Sequence, residues 1–130
     1  MMLTIRHEQW SALVDARLGQ VAESLEGYLR FHHAAAIQGL DDASLAHRIS
    51  VGLRRARGWG LDSMFGLGVF VALMFEVGPD FDTDPQIRRL LADHSRKPSD
   101  RLLLLDATLT DADWALVAAR ADLQAWGPVS

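Results

Sequence analysis

The sequence predicts an all-α domain, a single compact unit of about five to six helices with a central buried apolar helix over Met64–Val77. Three observations lead to that expectation. Leu and Ala supply 38 of the 130 residues, whereas Val, Ile and Thr supply 16; the former lose little on entering a helix and the latter pack better in strands. Apolar residues recur at steps of three and four, which keeps them on one face of a helix. Asp, Ser, Thr, Gly and Pro fall where such stripes begin and end, as helix caps require.

The first stripe is Trp10, Val14, Leu18, Val21, Leu25, Tyr28 and His32, stepping by 4, 4, 3, 4, 3 and 4. With Thr4 as N-cap, it predicts one long helix from about Ile5 through Ala34–Ala36, ending near Gly39. Asp41 and Asp42 open a second helix with Leu45, Ile49, Leu53 and Ala56 inward and Arg48, Arg54, Arg55 and Arg57 mostly outward. Gly58-Trp59-Gly60 ends it, because glycine supplies the left-handed conformation of helix C-caps. Asp62 or Ser63 opens the third helix, which runs through Phe70 and Leu73 to Val77 and stops at Gly78-Pro79. Asp80 to Asp84 form a loop. Asp84 as N-cap and Pro85 as first helical residue then start a short fourth helix to about Asp93. Ser95 to Ser99 read as a charged linker, and Asp100 to Leu105 as a helical turn or short fifth helix. Thr110 starts the last helix, with Trp114, Val117 and Ala121 as core candidates, and Gly127-Pro128 closes the ordered core, which spans about residues 4–126 of one domain.

Composition excludes several functions. There is no Cys, hence no disulfide scaffold, no Cys-based zinc site and no thiol nucleophile. The net charge of −4 gives no overall field for a polyanion. The first eight residues carry charge without an apolar core, so no secretory signal is expected. The run Met64 to Phe75 is shorter than the roughly 20 residues of a membrane span and is closed by Asp62 and Glu76. A cytoplasmic bacterial protein without membrane insertion is the expectation.

Chemical motifs fail one by one. His7-Glu8 would need a second His where Ser11 stands to form a zincin site. His32 and His33 point about 100° apart on a helix and do not pair on a metal as an i, i+4 couple does. Asp80, Asp82 and Asp84 alternate like the start of a calcium loop, but Pro85 and Leu91 occupy the positions that need Gly and Glu. Leu53-Arg54-Arg55-Ala56-Arg57 is the basic cluster, and it lacks Asn, Gln or Ser for reading base edges. No Gly-x-Ser-x-Gly elbow occurs. The sequence therefore points to no enzyme, no cofactor, no metal and no nucleic-acid partner. Its candidate interaction residues are Arg54, Arg57, Trp59, Asp80, Phe81, Asp82, Asp84 and Trp126, with Arg54 and Arg57 as ion-pair partners for the loop acids; Trp126 would anchor a protein partner if exposed, and packing against the domain's own core is the favoured reading of it.

The stretch from Arg54 to Pro85 resembles a signature of small helical proteins encoded among bacterial type VI secretion and effector genes. The matching residues are Arg55-Ala56-Arg57, Trp59-Gly60-Leu61, Leu73-Met74-Phe75, Gly78-Pro79-Asp80-Phe81-Asp82 and Asp84-Pro85. The pattern departs after Pro85, where Gln86-Ile87-Arg88 replace a Pro-Trp pair. The resemblance implies a helical accessory protein without catalytic residues, an effector chaperone or an adaptor to the secretion spike. An immunity protein that blocks a toxin is the alternative, because residues 61–130 hold eleven acids against six bases and suit a basic cleft. On the sequence alone, the loop acids are expected to serve the fold before any partner.

Overall fold

The computed structural model describes residues 21–128, and the stripe of Trp10, Val14 and Leu18 lies outside them. The described residues form six α-helices and no strand. They are α1 (Val21–His32), α2 (Asp42–Gly58), α3 (Met64–Glu76), α4 (Pro85–Leu91), α5 (Pro98–Thr108) and α6 (Asp111–Ala119). Short 3₁₀ turns at Phe81–Thr83 and Leu123–Trp126 complete the architecture.

Helix α3 is the centre. Ser63 caps it, its hydroxyl accepting from the Gly66 amide at 3.0 Å, and Gly66 through Met74 are all buried. A helix apolar all round has no solvent face to offer, so it must be surrounded; α2 packs along it, and α1 and α5 also contact it. Helix α2 presents Leu45, Ile49, Leu53 and Ala56 to the core. Its N-cap Asp41 accepts from the Ser44 amide at 2.7 Å. Its end is a Schellman motif: the Leu61 amide donates to Ala56 O at 3.2 Å and the Gly60 amide to Arg57 O at 2.9 Å, with Gly60 at φ +87°. Buried Leu61 meets the core there, as the motif's hydrophobic contact requires. Helix α6 opens with a capping box between Thr110 and Asp113 and buries Trp114 and Val117. None of the described helices is long and apolar enough to cross a membrane.

Three expectations are corrected. The first helix does not continue through Ala34–Ala36; it ends at His32. His33 turns inward instead, with Nδ1 2.7 Å from Glu76 Oε1 and Nε2 3.2 Å from Tyr28 Oη, and short turns then bury Ile37. The gain from pairing His33 and burying Ile37 outweighs alanine's helix propensity. The fourth helix stops at Leu91 rather than Asp93. Of the two readings of Asp100 to Leu105 the fifth helix holds, but as α5 it is longer than expected and starts inside the expected linker, because Pro98 occupies its first turn and Leu102, Leu105 and Leu109 reach the core.

Arg101, 6% exposed, holds the α4–α5 corner together. Its Nε donates to Arg96 O at 3.0 Å, and Nη1 donates to Leu91 O at 3.1 Å and to Trp59 O at 3.5 Å. The Leu91 carbonyl is at the C-terminal end of α4, where the helix dipole favours a cation.

Candidate functional site

Gly78, at φ +151°, breaks the chain out of α3 and starts the acidic loop. A Cβ there would lie 2.6 Å from Ala121 Cβ, so only glycine permits the approach of the C-terminal segment. Ala121 thus lies beyond α6, half-buried against this turn rather than within the helix's core face. Phe81 folds back into the core, its ring centre 4.9 Å from that of Phe70.

The three loop acids have different tasks. Asp82, 4% exposed, accepts from Arg55 Nε on both oxygens at 2.9 and 3.0 Å and lies 2.8 Å from Arg55 Nη2. Trp59 Nε1 donates to its Oδ2 at 2.8 Å. A carboxylate this deep is tolerable only when paired and hydrogen-bonded, and α2 supplies both partners from its last turn and C-cap. Asp84 caps α4, accepting from the Gln86 and Ile87 amides at 3.1 and 3.3 Å. Asp80 Oδ1 accepts from the Asp122 amide at 3.2 Å, tying the loop to the C-terminal segment.

Beside the loop is a cleft of about 170 Å³ lined by Asp80, Thr83, Asp84, Pro85, Val117 and Arg120. Arg120 Nη1 stands 4.0 Å from Asp84 Oδ1 across it. The cleft continues along α6 past Asp113 and Leu116, and Leu116 is 54% exposed.

Of the residues singled out from sequence, the structure joins half-buried Trp59 to buried Asp82, buries Phe81 beside it in the chain, and puts Asp80 and Asp84 on the cleft. Arg54 and Arg57 are not the partners of the loop acids. Both stay exposed on α2, and it is the half-buried Arg55 that reaches the carboxylate. Of the two readings of Trp126, core packing is the one the structure bears out. The residue is buried with its ring centre 5.0 Å from that of Phe75 and the Arg48 guanidinium 5.1 Å from its ring, and its carbonyl lies 3.0 Å from His47 Nε2. Sequence reasoning missed Arg55, Arg120, Val117 and Leu116 as site residues. No local signal marks Arg55, and the cleft residues come together only where the start of α4 lies across the cleft from α6.

Among the described residues no group of His, Asp or Glu is arranged to hold a metal ion. Comparison of the chain with protein-family models, with curated proteins and with solved structures finds no match.

Proposed function

We propose that this chain is a non-enzymatic protein-binding module, an effector chaperone or adaptor of a bacterial type VI secretion system, and that its partner docks at the cleft between the acidic loop and α6. The observation that carries the docking site is the cleft's size and make-up. At about 170 Å³ it falls below the roughly 300–1,000 Å³ of small-molecule sites but has room for a partner's side chain. Its lining pairs Asp84 and Arg120 with the apolar surfaces of Pro85 and Val117, and exposed Leu116 extends the apolar strip. An apolar patch edged by charge is the composition of a protein interface. The secretion context rests on the signature from Arg55 to Pro85.

Co-expression with the products of neighbouring genes, followed by pull-down, tests the reading. A chaperone or adaptor keeps its effector soluble or loads it, and Leu116→Arg or Arg120→Asp should abolish capture without lowering the melting temperature. Capture unaffected by both substitutions would remove the cleft from the interface. The immunity reading is favoured by the acidic C-terminal half, with eleven acids against six bases in residues 61–130. It requires instead that the chain rescue growth and inhibit a toxin in vitro.

A further inference from the structure

We propose that the outward face of α6 is a self-association surface, on which two copies of the chain pair antiparallel about a twofold axis near Leu116. The helix is apolar on both sides. Trp114 and Val117 face the core, whereas Ala112, Ala115, Leu116 and Ala119 are exposed. At about 100° per residue those four form one outward stripe. From Ala112 to Ala119 the one charged residue is Asp113, and no side chain carries an amide or a hydroxyl. A surface helix keeps a polar outer face, and one that is apolar all round is a covered helix. The described residues leave the outer stripe of α6 uncovered.

Charge singles out a second copy as the cover. Asp113 and the C-cap Arg120 lie on the same edge of the stripe, since both line the cleft beside Leu116. Seven residues separate them, about 10 Å along the axis, so they do not meet within one chain. Both keep bonding capacity. Asp113 accepts the Thr110 amide on Oδ2, which leaves Oδ1, and Arg120 Nη1 stands 4.0 Å from Asp84 Oδ1, beyond hydrogen-bond length. A twofold axis across α6 between these two residues keeps the edge and exchanges its ends. Asp113 of each copy then meets Arg120 of the other, whereas parallel pairing would set like charges together. Antiparallel pairing also opposes the two helix dipoles. Ala115 and Ala119 end at Cβ and let the backbones approach, and Leu116 beside the axis fills the seam. Such an isologous contact closes at two copies. A nine-residue helix buries less than the roughly 1,200 Å² of a standard interface, so the dimer is weak and reversible.

Pairing puts Leu116 and Arg120 in the seam, so a partner bound for the cleft has to displace the second copy. The self-association does not rest on the secretion reading and is measured on the isolated full-length chain. A failed pull-down leaves it intact, and a monomeric chain leaves the pull-down intact. Sedimentation equilibrium over about 5–500 μM should show a monomer–dimer equilibrium. Ala115→Arg sets a cation in the seam without altering the cleft lining, and should weaken dimerisation about tenfold or more. Arg120→Glu and Asp113→Lys, each alone, should weaken it about tenfold, because two attractions become two repulsions. An equimolar mixture of these two variants should form a heterodimer as tight as the wild-type dimer, with both pairs restored and their signs exchanged. The chain has no Cys, so Leu116→Cys should become a disulfide-linked dimer in a glutathione redox buffer. Leu103→Cys, at a 55% exposed position on α5, should stay monomeric. Ala115→Arg and the two cysteine variants decide the matter where Asp113→Lys, which loses its capping box, does not fold. A wild type that is monomeric throughout the range overturns the proposal, as does a dimer indifferent to Ala115→Arg. Folded charge variants that stay monomeric when mixed overturn it too, and so does crosslinking of Leu103→Cys as ready as that of Leu116→Cys.

Discussion

Asp82→Ala removes the acceptor on which Arg55 and Trp59 converge. The wild-type carboxylate takes guanidinium contacts at 2.8, 2.9 and 3.0 Å and an indole bond at 2.8 Å. Breaking a buried pair by deleting one partner costs about 3–5 kcal/mol, most of it from the charge left behind. Here the charge left behind is Arg55, whose side chain is 31% exposed and regains water once the carboxylate is gone. The Trp59 indole, half-buried, loses its acceptor at a cost of about 1–3 kcal/mol at most. The exposure of Arg55 offsets part of the charge penalty and the orphaned indole adds part of it back, which leaves about 3 kcal/mol. For a chain of this length that corresponds to a fall in Tm of about 10 °C. Chemical denaturation with an unchanged slope should report the same loss. A double-mutant cycle with Arg55→Ala should give a coupling of at least 1 kcal/mol, within the roughly 0.5–3 kcal/mol seen for residues in contact. A stability within 0.5 kcal/mol of wild type, or simple additivity with Arg55→Ala, would refute the reasoning, since then neither the burial nor the convergence of donors matters.

Further outcomes follow from the same structure. Phe70→Ala in the centre of α3 should cost about 3–5 kcal/mol by denaturation, the usual price of emptying a fully buried aromatic site. Gly78→Ala should lower Tm even though alanine is small, because both the backbone conformation and the Ala121 contact oppose a Cβ; an unchanged Tm would show that the turn relaxes freely. Asp84→Ala removes an N-cap and should cost about 0.5–2 kcal/mol, and restoration by Asp84→Asn distinguishes capping from charge. Tyr28, the single tyrosine, has its phenol pushed well above the ordinary value of 10.0, first by burial and then by the nearby Glu76 charge. Its folded form keeps the proton, so its share of stability is complete below about pH 10 and is lost as pH rises toward the raised value. Phenolate absorbance should therefore appear only with loss of the helical circular dichroism signal, and a transition near pH 10 in the folded chain would contradict the assignment.

Four helix starts were legible because capping chemistry is local. Asp41, Ser63, Asp84-Pro85 and Thr110 stand where the helices begin, and each acts on amides two or three residues away. The burial of α3 was legible from composition alone. What could not be read locally was which partner a polar residue would find. Arg55 and Asp82 are separated by 27 residues, and nothing in the run Arg54-Arg55-Ala56-Arg57 marks the middle arginine, since Arg57 flanks the buried stripe from the other side. His33 failed for the same reason: its partner Glu76 is 43 residues away, so the stripe ending at His32 gave no warning that the next residue would turn inward. The cleft was invisible because Asp84 and Arg120, 36 residues apart in sequence, approach each other only in the folded chain.

The corner at Arg101 limits what evolution or a designer could place there. Its donors leave one planar group to meet carbonyls on three separate stretches of chain, at Trp59, Leu91 and Arg96. Lysine carries the same charge on a single nitrogen and has no rigid fork with which to span such acceptors. Methionine or leucine would fill the volume and leave buried carbonyls without donors. A library randomised at position 101 and selected for folding should therefore return arginine almost alone, with Arg101→Lys as poorly tolerated as Arg101→Met. Enrichment of lysine beside arginine would show that charge, and not the fork, is what the corner needs.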